Sequence, residues 1–285
     1  MDHRAAPARR LTAAGVADFD DRRLDRIAER VRELAETYAA PGFAHVPDPN
    51  AAIFLCAVDH KAGYARPHIV DGEGPLRGSE LMWAVGLRSA RSRPGFALHA
   101  EALAEIDAIE IAAAFAVEGD TVAGPERRAA LWRDLSAGLI GYYDGSAERL
   151  LAAAGGRLGG EGGLLERLRA FAAYADPLAK KAQLFAKICA RRGWLEVLDP
   201  ESWDVSADSV LMRLALRSGL VAEGGVEAVR AATREAFARV AEAAALSPPV
   251  LDDMLWELGR ENPDLLGTAA GDLLEPPRDP DSSWY

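Results

Sequence analysis

Residues 176–221, DPLAKKAQLFAKICARRGWLEVLDPESWDVSADSVLMRLALRSGLV, decide the fold. Leu184, Phe185 and Ile188 recur at helical spacing, so 177–192 reads as an amphipathic helix with Lys180 and Lys181 in its first turns. A loop follows. Asp208 then opens a second helix over 207–218, and a carboxylate suits that position because it accepts free amides and complements the helix dipole. The bare residues leave two readings open for each group. Asp208 is a plain cap or a reacting carboxylate, and the lysines are solvated charges or site cations.

Working outward, the same periodicity predicts helices over 20–38, 51–58, 79–90, 99–117, 125–142, 146–154, 162–174, 224–245 and 248–260. Leu24, Ile27, Val31 and Leu34 share one face of the first, with Asp20 and Asp21 at its start. Ser247 followed by Pro248 and Pro249 marks the start of the last. Extended signals are confined to 64–70 and 73–78, flanking Asp71-Gly72, where Pro67 restricts the strand to an edge. The glycine-rich run 155–163 lacks the strand and the Lys-Ser/Thr of a phosphate loop, so it reads as a flexible helix connection. The tail 261–285 is Pro- and Asp-rich and ends in Trp284-Tyr285, an aromatic pair that can dock. The fold class is all-α with one small β-hairpin. The chain reads as a single domain over 1–285, with an N-terminal helical segment (1–44), a core (45–260) and the tail.

Composition narrows the function classes. The chain has 285 residues, 49% of them hydrophobic, enough for a sizeable core. A formal net charge of −11 disfavours a phosphate-gripping DNA binder and favours a small substrate. Cys56 and Cys189 sit in apolar sequence, too few for a disulfide framework or a cysteine zinc site, and fit a reducing cytoplasm. No apolar h-region follows MDHRAAPARR, and no run reaches membrane-spanning length, so neither a signal peptide nor a membrane partner is expected. His60 and His68 lack an obvious third ligand, so neither a metal nor an organic cofactor is expected.

Several motifs, in order, resemble one family. Lys180-Lys181-Ala182-Gln183, Ala207-Asp208 and Leu251-Asp252-Asp253-Met254-Leu255-Trp256 are similar to motifs of the queuosine 5′-phosphate N-glycosylases, a queuosine salvage family with a DNA-glycosylase-like helix-hairpin-helix bundle. Gly74–Val85 and Tyr143-Asp144-Gly145-Ser146 extend the likeness over about residues 45–260. Leu211-Met212-Arg213-Leu214 and Ser218-Gly219-Leu220-Val221 also look like the archaeal 8-oxoguanine DNA glycosylases. The resemblance implies hydrolysis of the base–ribose bond of a modified nucleoside or nucleotide, releasing free base. Asp208 would stabilise the oxocarbenium-like sugar, and Lys180 would stay protonated beside it, with Lys181 the other candidate lysine. Asp59, His60, Lys181, Asp252 and Trp256 would bind substrate, Trp256 by stacking. Two departures stand out: Asp59-His60 replaces an Asn-Phe pair near the base pocket, and Ser209-Val210 replaces a Tyr-Arg pair. The alternatives are a DNA glycosylase with lyase activity on 8-oxoguanine and an inactive nucleotide-binding homologue. Arg213, one turn past Asp208, reads as a structural ion-pair partner.

Overall fold

A computed structural model describes residues 21–269 and 275–284. Asp20, Tyr285 and the stretch 1–10 lie outside the described residues. In chain order the helices are α1 (Asp21–Ala35), α2 (Pro49–Ala57), α3 (Gly78–Ser92), α4 (Ala100–Leu103), α5 (Ala108–Ala114), α6 (Pro125–Tyr143), α7 (Ala147–Ala154), α8 (Leu164–Arg169), α9 (Lys180–Arg191), α10 (Ser209–Arg217), α11 (Val226–Ala244) and α12 (Pro248–Glu261). Strands β1 (His68–Val70) and β2 (Glu73–Leu76) form an antiparallel hairpin around Asp71-Gly72, as the turn dipeptide predicts. The protein is mostly helical, and no helix among the described residues is long and apolar enough to cross a membrane.

Two predicted helices are broken. The expected 99–117 helix is split into α4 and α5, because Asp107 begins a new helix with a complete capping box. Its carboxylate accepts from Glu110 N, and the Glu110 side chain accepts from Asp107 N. The expected 162–174 helix stops at Arg169 and resumes as a single 3-10 turn, Ala172–Tyr174. Asp134 Oδ2 accepts from Ala172 N at 2.7 Å, taking an amide that a continuous helix would have used. The run 155–163 is a helix connection, but an ordered one. Asp199 accepts from Leu158 N and Gly159 N at 2.6 and 2.8 Å, Leu158 is buried, and Leu164 N closes onto Arg157 O.

The chain divides into two compact units, Gly42–Ser202 with Ser283–Tyr285, and Met1–Pro41 with Trp203–Ser282. In the first, α2 lies at the centre. Its sequence PNAAIFLCA carries no charge, and all but one of its residues are buried against α6, α7 and α9. Trp132 on α6 stands edge-on to Phe54 and donates its indole N–H to Phe54 O at 2.7 Å. Burying each of Ile53, Phe54 and Leu55 contributes about 1.5–3 kcal/mol. In the second unit Ile27, Ala28 and Val31 of α1 are buried, and α1 packs on α11 and α12. There α10 packs on α11 and α12.

Candidate active site

One cluster of candidate residues grows from the C-terminal end of α2. The last carbonyls of a helix have no partner within it and carry the negative end of its dipole. Here α2 has no basic residue of its own in its last turn. Cations reach it from elsewhere in the chain. Lys181 Nζ donates to Ala57 O at 2.6 Å, and Lys180 Nζ donates to Asp59 O at 3.2 Å. The Arg128 guanidinium on α6 donates to the carbonyls of Val58, His60, Lys61 and Ala123. Both lysines stand at the N-terminus of α9, the end of a helix that disfavours cations. Their charge is satisfied at the carboxyl end of a different helix. Asp176 contributes at the start of α9, where its Oδ2 accepts from Lys180 N at 3.1 Å.

The side chains of this cluster are interlocked. Lys181 is fully buried, and its Nζ lies 3.1 Å from His60 Nδ1. Burial holds the Lys181 amine well below its ordinary range, and neighbouring Lys180 adds to the shift. Burial also pushes His60 far down, reinforced by Lys181 and Arg128, so the imidazole is neutral. Arg128, desolvated in the same interior, is lowered to about 10 and remains charged at neutral pH. Asp59 Oδ1 accepts from Ser79 Oγ at 2.7 Å, which ties the segment to the start of α3. Asp59, His60, Lys180 and Lys181 are thus brought together from distant parts of the chain. Of the two lysines, Lys180 retains solvent access and Lys181 does not.

The remaining predicted residues, Asp208, Asp252 and Trp256, belong to the other unit. Asp208 is the N-cap of α10, and its Oδ1 accepts from Val210 N and Leu211 N, both at 2.9 Å. That geometry accounts for an acid at this position. Asp252 is buried on α12, where its Oδ1 accepts from Ser206 N at 2.9 Å and fixes the extended segment leading to Asp208. Trp256 is half-buried, and the Arg260 guanidinium covers its ring at 4.4 Å, so one face of the indole already has a cation on it. Arg213 donates to Gly259 O at 3.1 Å, which corrects the expected ion pair: the nearest acceptor is a backbone carbonyl of α12. Asp204 pairs with Arg234 at 3.2 Å, while burial raises its carboxyl.

Sequence reading missed Ser79, Arg128 and Ser206. Arg128 left a signal, because it shares helical spacing with buried Leu131, Trp132 and Leu135, a stripe on which an arginine must find buried partners. His68, weighed earlier as a metal ligand, is buried with Nδ1 3.1 Å from Glu118 and Nε2 3.2 Å from Asp120. Among the described residues no three His, Cys, Asp or Glu side chains are grouped to hold a metal ion. A cleft of about 630 Å³ lies elsewhere in the same unit, lined by Pro49, Leu151, Trp194 and Leu198 with Glu148 and Glu196, and none of the predicted site residues lines it. No protein-family model matches the chain, and no curated protein matches it.

Proposed function

We propose that this protein is an N-glycosidase that hydrolyses the base–ribose bond of a detached modified nucleotide, queuosine 5′-phosphate or a close relative, and releases the free base in the cytoplasm. The observation that carries the reading is the cluster at the end of α2. A carboxylate, a neutral imidazole and a buried lysine stand side by side there, with a second, accessible lysine next to them. Such perturbed groups gather where ligands are bound or transformed. A helix-hairpin-helix arrangement would place Lys180 at the start of its second helix, and the packing of α8 on α9 supports that assignment.

In this reading Asp208 faces the sugar. Cleavage of an N-glycosidic bond builds positive charge at C1′, and an anionic carboxylate lowers that barrier and orients the attacking water. Two backbone amides already fix one of its oxygens, so the carboxylate is pre-oriented. Lys180 supplies the accessible positive charge. The chain's net charge of −11 favours a free nucleotide over a polymer of phosphates.

The test is incubation with queuosine 5′-phosphate and, separately, with an 8-oxoguanine duplex, with chromatography of the released base. Queuine release from the nucleotide alone is expected. Asp208→Asn, which keeps an N-cap acceptor, should lower the rate by about a hundredfold or more, while Asp208→Ala should also cost about 1 kcal/mol of stability. A wild-type rate in Asp208→Asn removes the carboxylate from the chemistry. Release from the duplex, with borohydride trapping on abasic DNA, would replace this reading by a DNA glycosylase with lyase activity. A nucleotide-induced rise in melting temperature without release would replace it by a binding protein.

A further inference from the structure

The partners of His60 reach further than its place in the cluster. Its Nδ1 faces Lys181 Nζ at 3.1 Å, and the same Nζ donates to Ala57 O at 2.6 Å. Held as an ammonium between these two acceptors, Lys181 can only donate; Nδ1 then accepts, and the ring proton resides on Nε2. An imidazolium would bring two cations into contact in a buried site. The charged groups facing His60 are Lys180 and Lys181 of α9 and Arg127 and Arg128 of α6, and Asp59 precedes it in the chain. His60 Nε2 has no hydrogen-bond partner among the described residues, and the ring keeps 8% of its surface exposed. Asp59 is similar: Oδ1 accepts from Ser79, Oδ2 has no partner among the described residues, and the residue is 7% exposed.

We propose that Lys181 is a positioning residue that fixes His60 as its neutral Nε2–H tautomer. Asp59 and His60 then offer one acceptor and one donor to a ligand edge that carries an N–H beside an acceptor. This rests on the glycosidase reading for its ligand, a nucleobase. It assigns Lys181 no direct contact with substrate, because its ammonium is enclosed. Lys180 remains the lysine available to the reaction.

The experiment is nitrogen-detected imidazole NMR on the full chain, with the His60 signals identified by their loss in His60→Gln. The expected wild-type pattern is one neutral Nε2–H tautomer, unchanged from about pH 8 down to about pH 5. Lys181→Met should release the ring, giving mixed tautomers or titration within that window. An Nδ1–H tautomer or an imidazolium in the wild-type spectrum would overturn the proposal whether or not Lys181→Met folds. Titration with free 7-deazaguanine should shift the His60 Nε2–H signal, and His60→Phe should weaken binding of that base by about tenfold, the scale of one hydrogen bond. Absence of binding, or saturation without a His60 shift, overturns the donor–acceptor assignment. Base release from the nucleotide is measured separately. Hydrolysis without a His60 shift sinks this inference alone, and a His60 shift without hydrolysis sinks the glycosidase reading alone.

Discussion

Replacing Arg128 by Met is the most demanding perturbation of this structure. The side chain is 1% exposed, and its guanidinium donates to the carbonyls of Val58, His60, Lys61 and Ala123. Methionine keeps the aliphatic stem and removes every donor. Four carbonyl contacts at about 1–1.5 kcal/mol each would give about 4–6 kcal/mol. Part of that is offset, because the buried guanidinium is itself destabilised, as its descent to about 10 shows. The net loss expected is about 3–5 kcal/mol, the range for removing one partner from a buried charged network. For a chain of this size that is a fall in Tm of about 10 °C. Urea titration followed by circular dichroism, with calorimetry alongside, measures it. Arg128→Lys should recover less than half of the loss, since one ammonium cannot reach four carbonyls in a fork. An Arg128→Met variant within about 1 kcal/mol of wild type would refute the claim that this arginine holds residues 58–61 in place.

Other outcomes follow from packing and charge. Gly86→Ala would put a Cβ 2.8 Å from Leu55 Cδ2 and 2.9 Å from Phe115 Cε1, so it should cost about 1–3 kcal/mol in the same titration. Burial pushes the Cys56 and Cys189 thiols well up, so neither should react with a thiol reagent at mildly alkaline pH until the chain is unfolded, when both should react. Arg217 and Thr268 hold the Asp264 carboxyl below its ordinary value. A depressed carboxyl adds stability above its unfolded pKa and loses it as pH falls through the folded value. Asp264→Asn should therefore flatten the acid limb of a stability profile below about pH 4 and leave its shape at neutral pH unchanged.

The helical fold was legible because its signals are local. Ile27 and Val31 of the expected stripe, the turn Asp71-Gly72 and the cap at Asp208 each speak for their own few residues. The break at 104–107 was also written locally, in the Asp107–Glu110 capping box, but the apolar spacing on both sides masked it. The cluster at the end of α2 was less visible. Lys181 looks like any early-helix lysine, and only the meeting of α9 with the carbonyl end of α2 makes it a buried one. Long-range meetings of that kind leave no periodic trace in the chain. Asp59 and His60 were singled out through a resemblance; their partner Ser79 lay within the similar stretch Gly74–Val85 without a role assigned, and Arg128 lay outside every similar motif.

The run 155–163 has a bearing on how this chain can be cut and rejoined. Its composition is what a protein engineer would choose for a split point, a tag or a new pair of termini. Yet a methyl group on Gly163 would lie 2.3 Å from Gly159 O, and one on Gly156 would lie 2.8 Å from Glu196 O. Gly156 and Gly163 are spacers of zero width between segments of backbone already in contact. A protease should pass over this stretch in the native protein, and a permutant opened within it would lose the clasp of Asp199 on Leu158 and Gly159.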